Sequence, residues 1–383
     1  MPLFTSSDKA LWRLALPMIF SNITVPLLGL VDTAVIGHLD SPVFLGGVAV
    51  GATATSFLFM LLLFLRMSTT GLTAQAFGAK NPQALARALI QPLLLALGAG
   101  VMIVLFRTPL IELALHIVGG NDAVLVQARR FLEIRWLSAP ASLANLVLLG
   151  WLLGVQYARA PVILLVVGNI LNIALDLWLV MGLHMNVQGA ALATVIAEYA
   201  TLLIGFMMVR KVLHLRGVSL DMLKQAWRGN VRRLLALNRD IMLRSLLLQL
   251  CFGAITVSGA RLGSDIIAVN AVLMTLLTFT AYALDGFAYT VEAHSGQAYG
   301  ARDGSKGRLA SGVSSVRNCG LVVFHSLCPG RRTYCRVTDL IAANTATGGS
   351  VSYLAGGITA GGRMVLSARW YVYWRDARCR NAQ

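Results

Sequence analysis

Charge is what this chain has least of. Only 13% of its 383 residues are Asp, Glu, Lys or Arg, whereas an ordinary soluble domain carries about a quarter. Together with 57% hydrophobic residues, that deficit excludes a water-soluble globular domain. Acidic residues are the scarcer sign, 16 against 32 basic, for a net charge of +16. The basic excess does not imply a nucleic-acid partner, because membrane proteins gather Lys and Arg in their cytoplasmic loops for topological reasons. Cysteine is nearly missing as well: of five, only Cys251 precedes residue 306, so neither a disulfide framework nor a metal cluster is supported. No G-x-x-x-x-G-K-[ST] loop, zinc motif or hydrolase triad is found. An ATP-driven motor, an enzyme and a resident cofactor or metal are therefore not expected.

What the chain does have is long apolar runs. A bilayer core takes about 20 apolar residues per helix, which places spans near 14–38, 43–65, 88–106, 134–154, 161–183, 187–209, 241–260 and 266–290. The alternation of a β-barrel is absent, so the spanning elements are helices, whose backbone groups satisfy themselves in lipid. The first run follows Lys9 and Arg13 and continues to about residue 38 with no cleavage pattern, the mark of a retained helix and not of a signal peptide. Trp12, Trp151 and Trp178 fall near helix ends, as interfacial anchors do.

Basic residues fall in alternate loops: Lys9 and Arg13, Lys80 and Arg87, Arg159, and the segment from Arg210 to Arg239. These loops, and the N-terminus, are expected in the cytoplasm. Arg129, Arg130 and Arg135 fall on the wrong side of that pattern.

A repeat organises the chain. QAFGAKN at 75–81 recurs as QAYGARD at 297–303, an offset of 222 residues, and each copy follows the second helix of a group. Repeats of like orientation are related by an axis along the membrane normal, an architecture common in secondary transporters. The glycine of each heptapeptide is expected to permit a tight turn. The expected fold is an all-α polytopic membrane protein of two six-helix lobes related by a pseudo-two-fold axis. Residues 1–210 would form the N-terminal lobe, 211–240 a basic linker, and 241–304 the first two helices of the second lobe.

After Asp303 the character changes. Four of the five cysteines and eleven of the 32 basic residues crowd into 305–383, opposed only by Asp339 and Asp376, with no run apolar enough to be a confident span. The expectation is an incomplete or frameshifted second lobe; a divergent cytoplasmic tail is the alternative.

Ionisable groups inside a spanning helix are costly and are functional candidates by default. Asp32, Asp176 and Glu198 are the candidates in the first lobe. Counted from outer helix ends near 38, 183 and 187, Asp32, Asp176 and Thr194 lie about 9, 10 and 10 Å deep. Asn172 stands one turn from Asp176 on the same face. Together these residues can form an oxygen-rich site for a proton or a hard cation such as Na⁺. Two carboxyls sharing such a site titrate as one coupled unit. Pro26 removes a backbone hydrogen bond from the first helix and lies six residues from Asp32, so charge at Asp32 can bias that helix between straight and bent. Glu198, four residues after Thr194, either shares its face or snorkels to the interface. Asp285 and Glu292, seven apart, share a face of the eighth helix, with an interfacial role for Glu292 equally open.

The segments ALPMIFSNITVPLLGLVDTAVIGHL, QAFGAKN, NILNIALDLWLV, GAALATVIAEY and GQAYGARDG together resemble the multidrug and toxic compound extrusion family, in particular its DinF-like bacterial branch, over residues 1 to about 304. The resemblance implies a twelve-helix, two-lobed, multi-pass antiporter of the bacterial inner membrane that exports amphipathic, often cationic compounds. It also implies that Asp32, Asn172, Asp176 and Thr194 are cation-coupling positions and that Pro26 is the bending proline, whereas the oligomeric state is not fixed by the sequence and a monomer is only the default expectation. Protons are the expected coupling ion, with Na⁺ as the alternative. A lipid-linked saccharide flippase of similar architecture and an inactive truncated transporter are the competing readings.

Overall fold

The computed structural model describes residues 6–37, 42–118, 121–157, 159–227 and, with gaps, 239–301. The expected spans at 241–260 and 266–290 are described only in part, and 305–383 lies outside the described residues. Described are α1 (Ser6–Gly37), α2 (Pro42–Leu61), α3 (Phe64–Gly78), α4 (Pro82–Leu105), α5 (Arg107–Val118), α6 (Asp122–Arg135), α7 (Ala139–Gly154), α8 (Arg159–Asp176), α9 (Asn186–Leu215) and α10 (Leu220–Gln225). The described residues between 281 and 300 are also helical. No strand occurs among the described residues. Five helical segments, 43–78, 82–105, 122–154, 159–182 and 186–215, are long and apolar enough to cross a membrane.

Local chemistry sets the boundaries. Asn81 caps α4 by accepting from the backbone N–H of Ala84 at 3.0 Å, with Pro82 in the first turn, where its missing N–H has no partner to lose. Asn121 caps α6 through Ala123 N at 2.9 Å, satisfying one of the orphan donors at that end. The second expected span runs on from 65 to Gly78, and its two halves meet in a tighter turn at Leu62 and Leu63. There Leu65 and Arg66 donate to carbonyls three residues back, at 3.1 Å each.

The centre of the bundle is α7, packed against α3, α4 and α9. Leu143, Leu148, Trp151 and Leu152 on it are fully buried. Glycines let the backbones meet: a Cβ at Gly150 would stand 2.6 Å from the carbonyl oxygen of Arg66, and one at Gly100 would overlap Pro140. Without a hydrophobic drive between helices in lipid, such small-residue contacts carry the packing. Polar residues lie inside (Thr69, Thr73, Asn172, Asp176), while Phe20, Leu105 and Met207 face outward, the reverse of a soluble protein. Trp151 corrects the expectation of an interfacial anchor. Its indole N–H donates to the Leu85 carbonyl at 3.2 Å inside the core. Trp178 is well exposed, as an anchor should be, and the side chain of Trp12 lies outside the description.

The two heptapeptides face one another across a local two-fold axis. A Cβ at Gly78 would overlap the carbonyl oxygen of Gln297, and a Cβ at Gly300 would overlap that of Gln75. Both pairings respect the 222-residue offset, as does the contact of Gly296 with Ala74. The helix ends also match: Ala79 N donates to Gln75 O and Ala301 N to Gln297 O, each at 2.9 Å. Contrary to the expectation of a turn role, these glycines serve a close backbone approach. The left-handed residue after α3 is Lys80, φ 51, and glycine is needed at 78 and 300 so that two backbones can touch. Gln156, itself left-handed at φ 58, pins the seam by donating to the Gln297 side chain at 2.7 Å.

Adding a side chain should therefore open this seam while leaving the lobe intact. In a chain whose native cysteines are replaced by serine, Ala74→Cys should react with an impermeant maleimide several-fold faster when Gly78→Val is added. Equal rates would show that the close approach does not hold the helix ends together.

Candidate functional site

α1, α8 and α9 bring the four expected coupling residues together. Asn172 Nδ2 donates to Thr194 Oγ1 at 3.2 Å, and that hydroxyl donates to Ala190 O at 3.1 Å. The carboxyls of Asp32 and Asp176 face each other within side-chain hydrogen-bonding reach. Asp176 is 2% exposed and Asn172 3%. Among the described residues, both carboxylate oxygens of Asp176, Oδ1 of Asp32 and Oδ1 of Asn172 meet no donor. Four buried oxygens without a proton donor are a costly arrangement. A proton shared between the carboxyls, or a hard cation among oxygens only, resolves it.

The backbone aims Asp176 into this cluster. α8 ends at Asp176, and the chain continues as a π-helical turn over Leu177–Gly182, in which Leu183 N reaches back to Trp178 O at 3.0 Å. Such wide turns recur at functional sites. Nothing in DLWLVMG announces one. α1 is held to α8 by Asn169 Nδ2 donating to Thr24 Oγ1 at 2.6 Å, in the turn before Pro26. The helix runs unbroken through position 26.

Glu198 joins neither the cluster nor the interface. It forms a forked pair with Arg135, Nη2 to Oε1 at 2.8 Å and Nη1 to Oε2 at 3.2 Å, and it also accepts from the Ser142 hydroxyl. Asn145 Nδ2 donates to its backbone carbonyl at 2.9 Å. The snorkelling expectation is corrected, and one of the misplaced arginines is accounted for: Arg135 is bound inside the bundle and is not a topological signal. Arg129 pairs at the surface with Glu112, 3.6 Å away.

Asp285 and Glu292 share a face, as expected, and both act electrostatically on Arg66, which the sequence placed nearer a helix end and so set aside as a candidate. Arg66, 8% exposed, donates from Nη2 to the Tyr289 hydroxyl at 2.5 Å and sits 4.0 Å from that ring's centre. Asp285 and Glu292 lie within Coulombic reach of its guanidinium. Its signal was available: an arginine about 18 Å in from Gly78 by helical rise is a functional candidate on the same grounds as Asp32.

A bundle of lipid-length helices with buried carboxylates, an internal two-fold and backbone seams between repeats defines a polytopic membrane carrier fold. Residues 17–178 match the MatE family model. The chain is 90% identical over 306 residues to DNA damage-inducible protein F of Escherichia coli strain K12, covering 80% of this chain and 67% of that protein. It is 28% identical over 196 residues to the probable multidrug resistance protein NorM of Thermotoga maritima, covering 50% of this chain and 42% of that one. Among solved structures, MATE in the straight conformation superposes with a TM-score of 0.73 at 20% identity, covering 93% of this chain and 78% of that chain. At that identity the likeness speaks for the fold alone. The chain belongs to the MatE family, the multidrug and toxic compound extrusion proteins; it spans about two thirds of its E. coli relative and less than half of the Thermotoga one.

The Arg135–Glu198 pair makes a prediction that separates structure from transport. Removing one partner of a buried pair costs about 3–5 kcal/mol, while replacing both with apolar groups is often neutral. Arg135→Met alone should lower the thermal midpoint of the purified protein sharply, and Arg135→Met with Glu198→Leu should recover most of it. Equal losses in the single and double variants would contradict a structural role.

Proposed function

We propose that this chain is the transport unit of a cation-coupled exporter of amphipathic, often cationic compounds, with Asp32 and Asp176 as the groups that carry the coupling ion. The observation that carries the reading is the cluster of four buried oxygens without donors on α1 and α8, with Thr194 of α9 bonded to its Asn172 edge. Arg135 and Glu198 answer each other, whereas here acceptor oxygens of two carboxyls and an amide converge, the ligand set that suits a proton or a hard cation. Family membership and the likeness to a probable multidrug resistance protein support the cargo class.

The mechanism follows from what an occupant changes. With the pair loaded by a proton, the facing carboxyls attract one another and α1 is drawn to α8. Unloaded, the two like charges repel in a poorly solvated site. α1 takes up that difference at Pro26, where the carbonyl of Asn22 has lost its helical donor. α1 also contacts the second repeat, since Asn22 Nδ2 donates to the Tyr282 carbonyl at 3.3 Å and a Cβ at Gly286 would meet Ile19. A bend in α1 therefore alters the fit between repeats. The ion enters from outside and leaves into the cytoplasm, while cargo moves the other way. A proton is the preferred ion, because two carboxyls in reach of each other need only one to form a bond; Na⁺ is the alternative, with Thr194 and Asn172 as further oxygen ligands. The N-terminus is cytoplasmic and the membrane is the bacterial inner membrane in this reading. Residues 1–210 form one lobe, the basic segment 211–240 links it to the next, and the monomer is the working unit.

The test uses vesicles containing the full chain. Ethidium efflux should follow an imposed pH gradient, and Asp32→Asn should reduce the rate at least tenfold while leaving ethidium binding measurable. Unchanged transport in Asp32→Asn would sink the assignment. A response to an Na⁺ gradient in place of the pH gradient would move the site to the alternative ion.

A further inference from the structure

Arg66 is held in a place made for a cation from elsewhere. It belongs to α3 of the first repeat, and everything that receives its guanidinium belongs to the second. The Tyr289 ring lies under it at 4.0 Å and the Tyr289 hydroxyl accepts from it at 2.5 Å. Asp285 and Glu292, one turn before and one turn after Tyr289 on the same helix, supply two negative charges to that side. Met18 of α1 and Leu149 and Leu153 of α7 pack with the Tyr289 ring as an apolar wall that the first repeat contributes. An aromatic face, nearby carboxylates and an apolar wall are the features by which proteins hold flat or quaternary organic cations.

Three details separate this arrangement from an ordinary structural ion pair. The contact crosses between repeats, where lobes must part in any rocking carrier, whereas Arg135 and Glu198 are both within one lobe. The guanidinium is a flat, delocalised and weakly hydrated cation, so it reproduces the chemistry of an aromatic cation more closely than lysine would. The chain also winds tighter just ahead of Arg66, where Leu62, Leu63, Leu65 and Arg66 all use three-residue hydrogen bonds. No glycine or proline lies between 59 and 66 to account for this. A tighter turn inside a long helix marks a hinge, and this one can swing the Arg66 end of α3 relative to α2.

We propose that Tyr289, Asp285 and Glu292 form a cargo subsite for flat organic cations, and that Arg66 is its built-in occupant while the repeats are closed. When the seam at Gly78 and Gly300 parts, Arg66 leaves with α3 and an arriving aromatic cation takes its place on the Tyr289 ring. When the seam closes, Arg66 returns and displaces the cargo. The exchange leaves neither the carboxylates nor the ring face without a positive partner, so closure without cargo needs no buried uncompensated charge. Competition by Arg66 also lowers the apparent affinity for cargo by the fraction of time that the subsite is filled from within. The inference rests on the export reading and adds to it a place for the cargo.

Ethidium binding to the purified full-length chain, followed by fluorescence anisotropy, tests it. Arg66→Gln should tighten ethidium binding about tenfold, the order of one desolvated cation–π contact. Arg66→Lys, which keeps the charge but not the flat surface, should fall between the two. Tyr289→Leu added to Arg66→Gln should abolish the gain. Binding that is unchanged or weaker in Arg66→Gln, with the wild-type chain still binding, overturns the subsite and leaves the export reading standing. If neither chain binds ethidium, the export reading fails and the subsite with it. A thermal midpoint measured on each variant separates a lost fold from a lost ligand: an Arg66→Gln chain that melts like wild type but binds no more tightly counts against the proposal.

Discussion

A bilayer offers no solvent to a polar side chain, so every polar group inside the bundle must be answered by the protein itself or by something that the protein admits. That constraint sorts the buried groups into two kinds. Arg135 and Glu198 answer each other through two hydrogen bonds, with Ser142 and Asn145 completing the set. They are comparable in depth to the Asp32 and Asp176 cluster, within one helical turn, and yet that cluster closes only on the Asn172 amide side. Its unanswered oxygens all accept and none donates. Beside Glu198 a single acceptor, Asn145 Oδ1, stays open, whereas four converge at Asp32, Asn172 and Asp176, and the proposed proton or cation would answer all four together.

The same small-residue chemistry is used for permanent and for separable contacts, and the difference lies in what surrounds it. Between α7 and α3, Gly150 and Gly154 bring the backbones together beneath a continuous buried wall that includes Leu65, Leu148, Leu152 and Val155. In lipid such a wall gains no hydrophobic burial energy, but its many close van der Waals contacts add up, so this contact is the firmer of the two. At the seam between repeats, Gly78 and Gly300 each meet a carbonyl oxygen. Contacts of the Cα–H to carbonyl type contribute about 0.5–1 kcal/mol each. A seam held by a few such contacts, one glutamine bridge from Gln156 and the Arg66 contact is firm enough to close and weak enough to open.

Much of the fold was legible in the sequence, for a physical reason. Span length is set by bilayer thickness, so counting apolar residues located the long helices of the first lobe, though not α5 or the start of α6, and the offset between QAFGAKN and QAYGARD pointed to the axis before any coordinates. Helical spacing put Asn172 and Asp176 on one face, and depth put Asp32 and Thr194 beside them. What failed was orientation about each helix axis. A helix bathed in lipid is apolar on every side, so Trp151 reads equally well as an anchor or as core, and Glu198 equally well as a ligand or as half of an ion pair. Only the partner, Arg135, 63 residues away in sequence, decides the second case. Gly78 was misread because a turn glycine and a contact glycine look alike in one sequence; Lys80 taking the left-handed conformation is a tertiary fact. The π-helical turn after Asp176 has no composition signal at all.

α1 ties the two charged sites into one device. Asp32 on it faces Asp176, while two to four turns earlier Met18 packs against Tyr289, Ile19 presses on Gly286 and Asn22 holds the Tyr282 carbonyl. Between these two groups stands Pro26, the one position in that stretch whose residue cannot donate a helical hydrogen bond. In the proposed cycle, a bend of α1 at Pro26 that relieves repulsion between the carboxyls changes the angle between the Asp32 end and the end carrying Met18, Ile19 and Asn22, and so the fit against Tyr289. By linkage, whatever the ion does to the Tyr289 side, a cation bound at Tyr289 does in equal measure to the affinity for the ion. In the proposed exchange no signal need be relayed through the rest of the bundle, because a single helix reaches the Asp32–Asp176 pair at one end and the second repeat at the other.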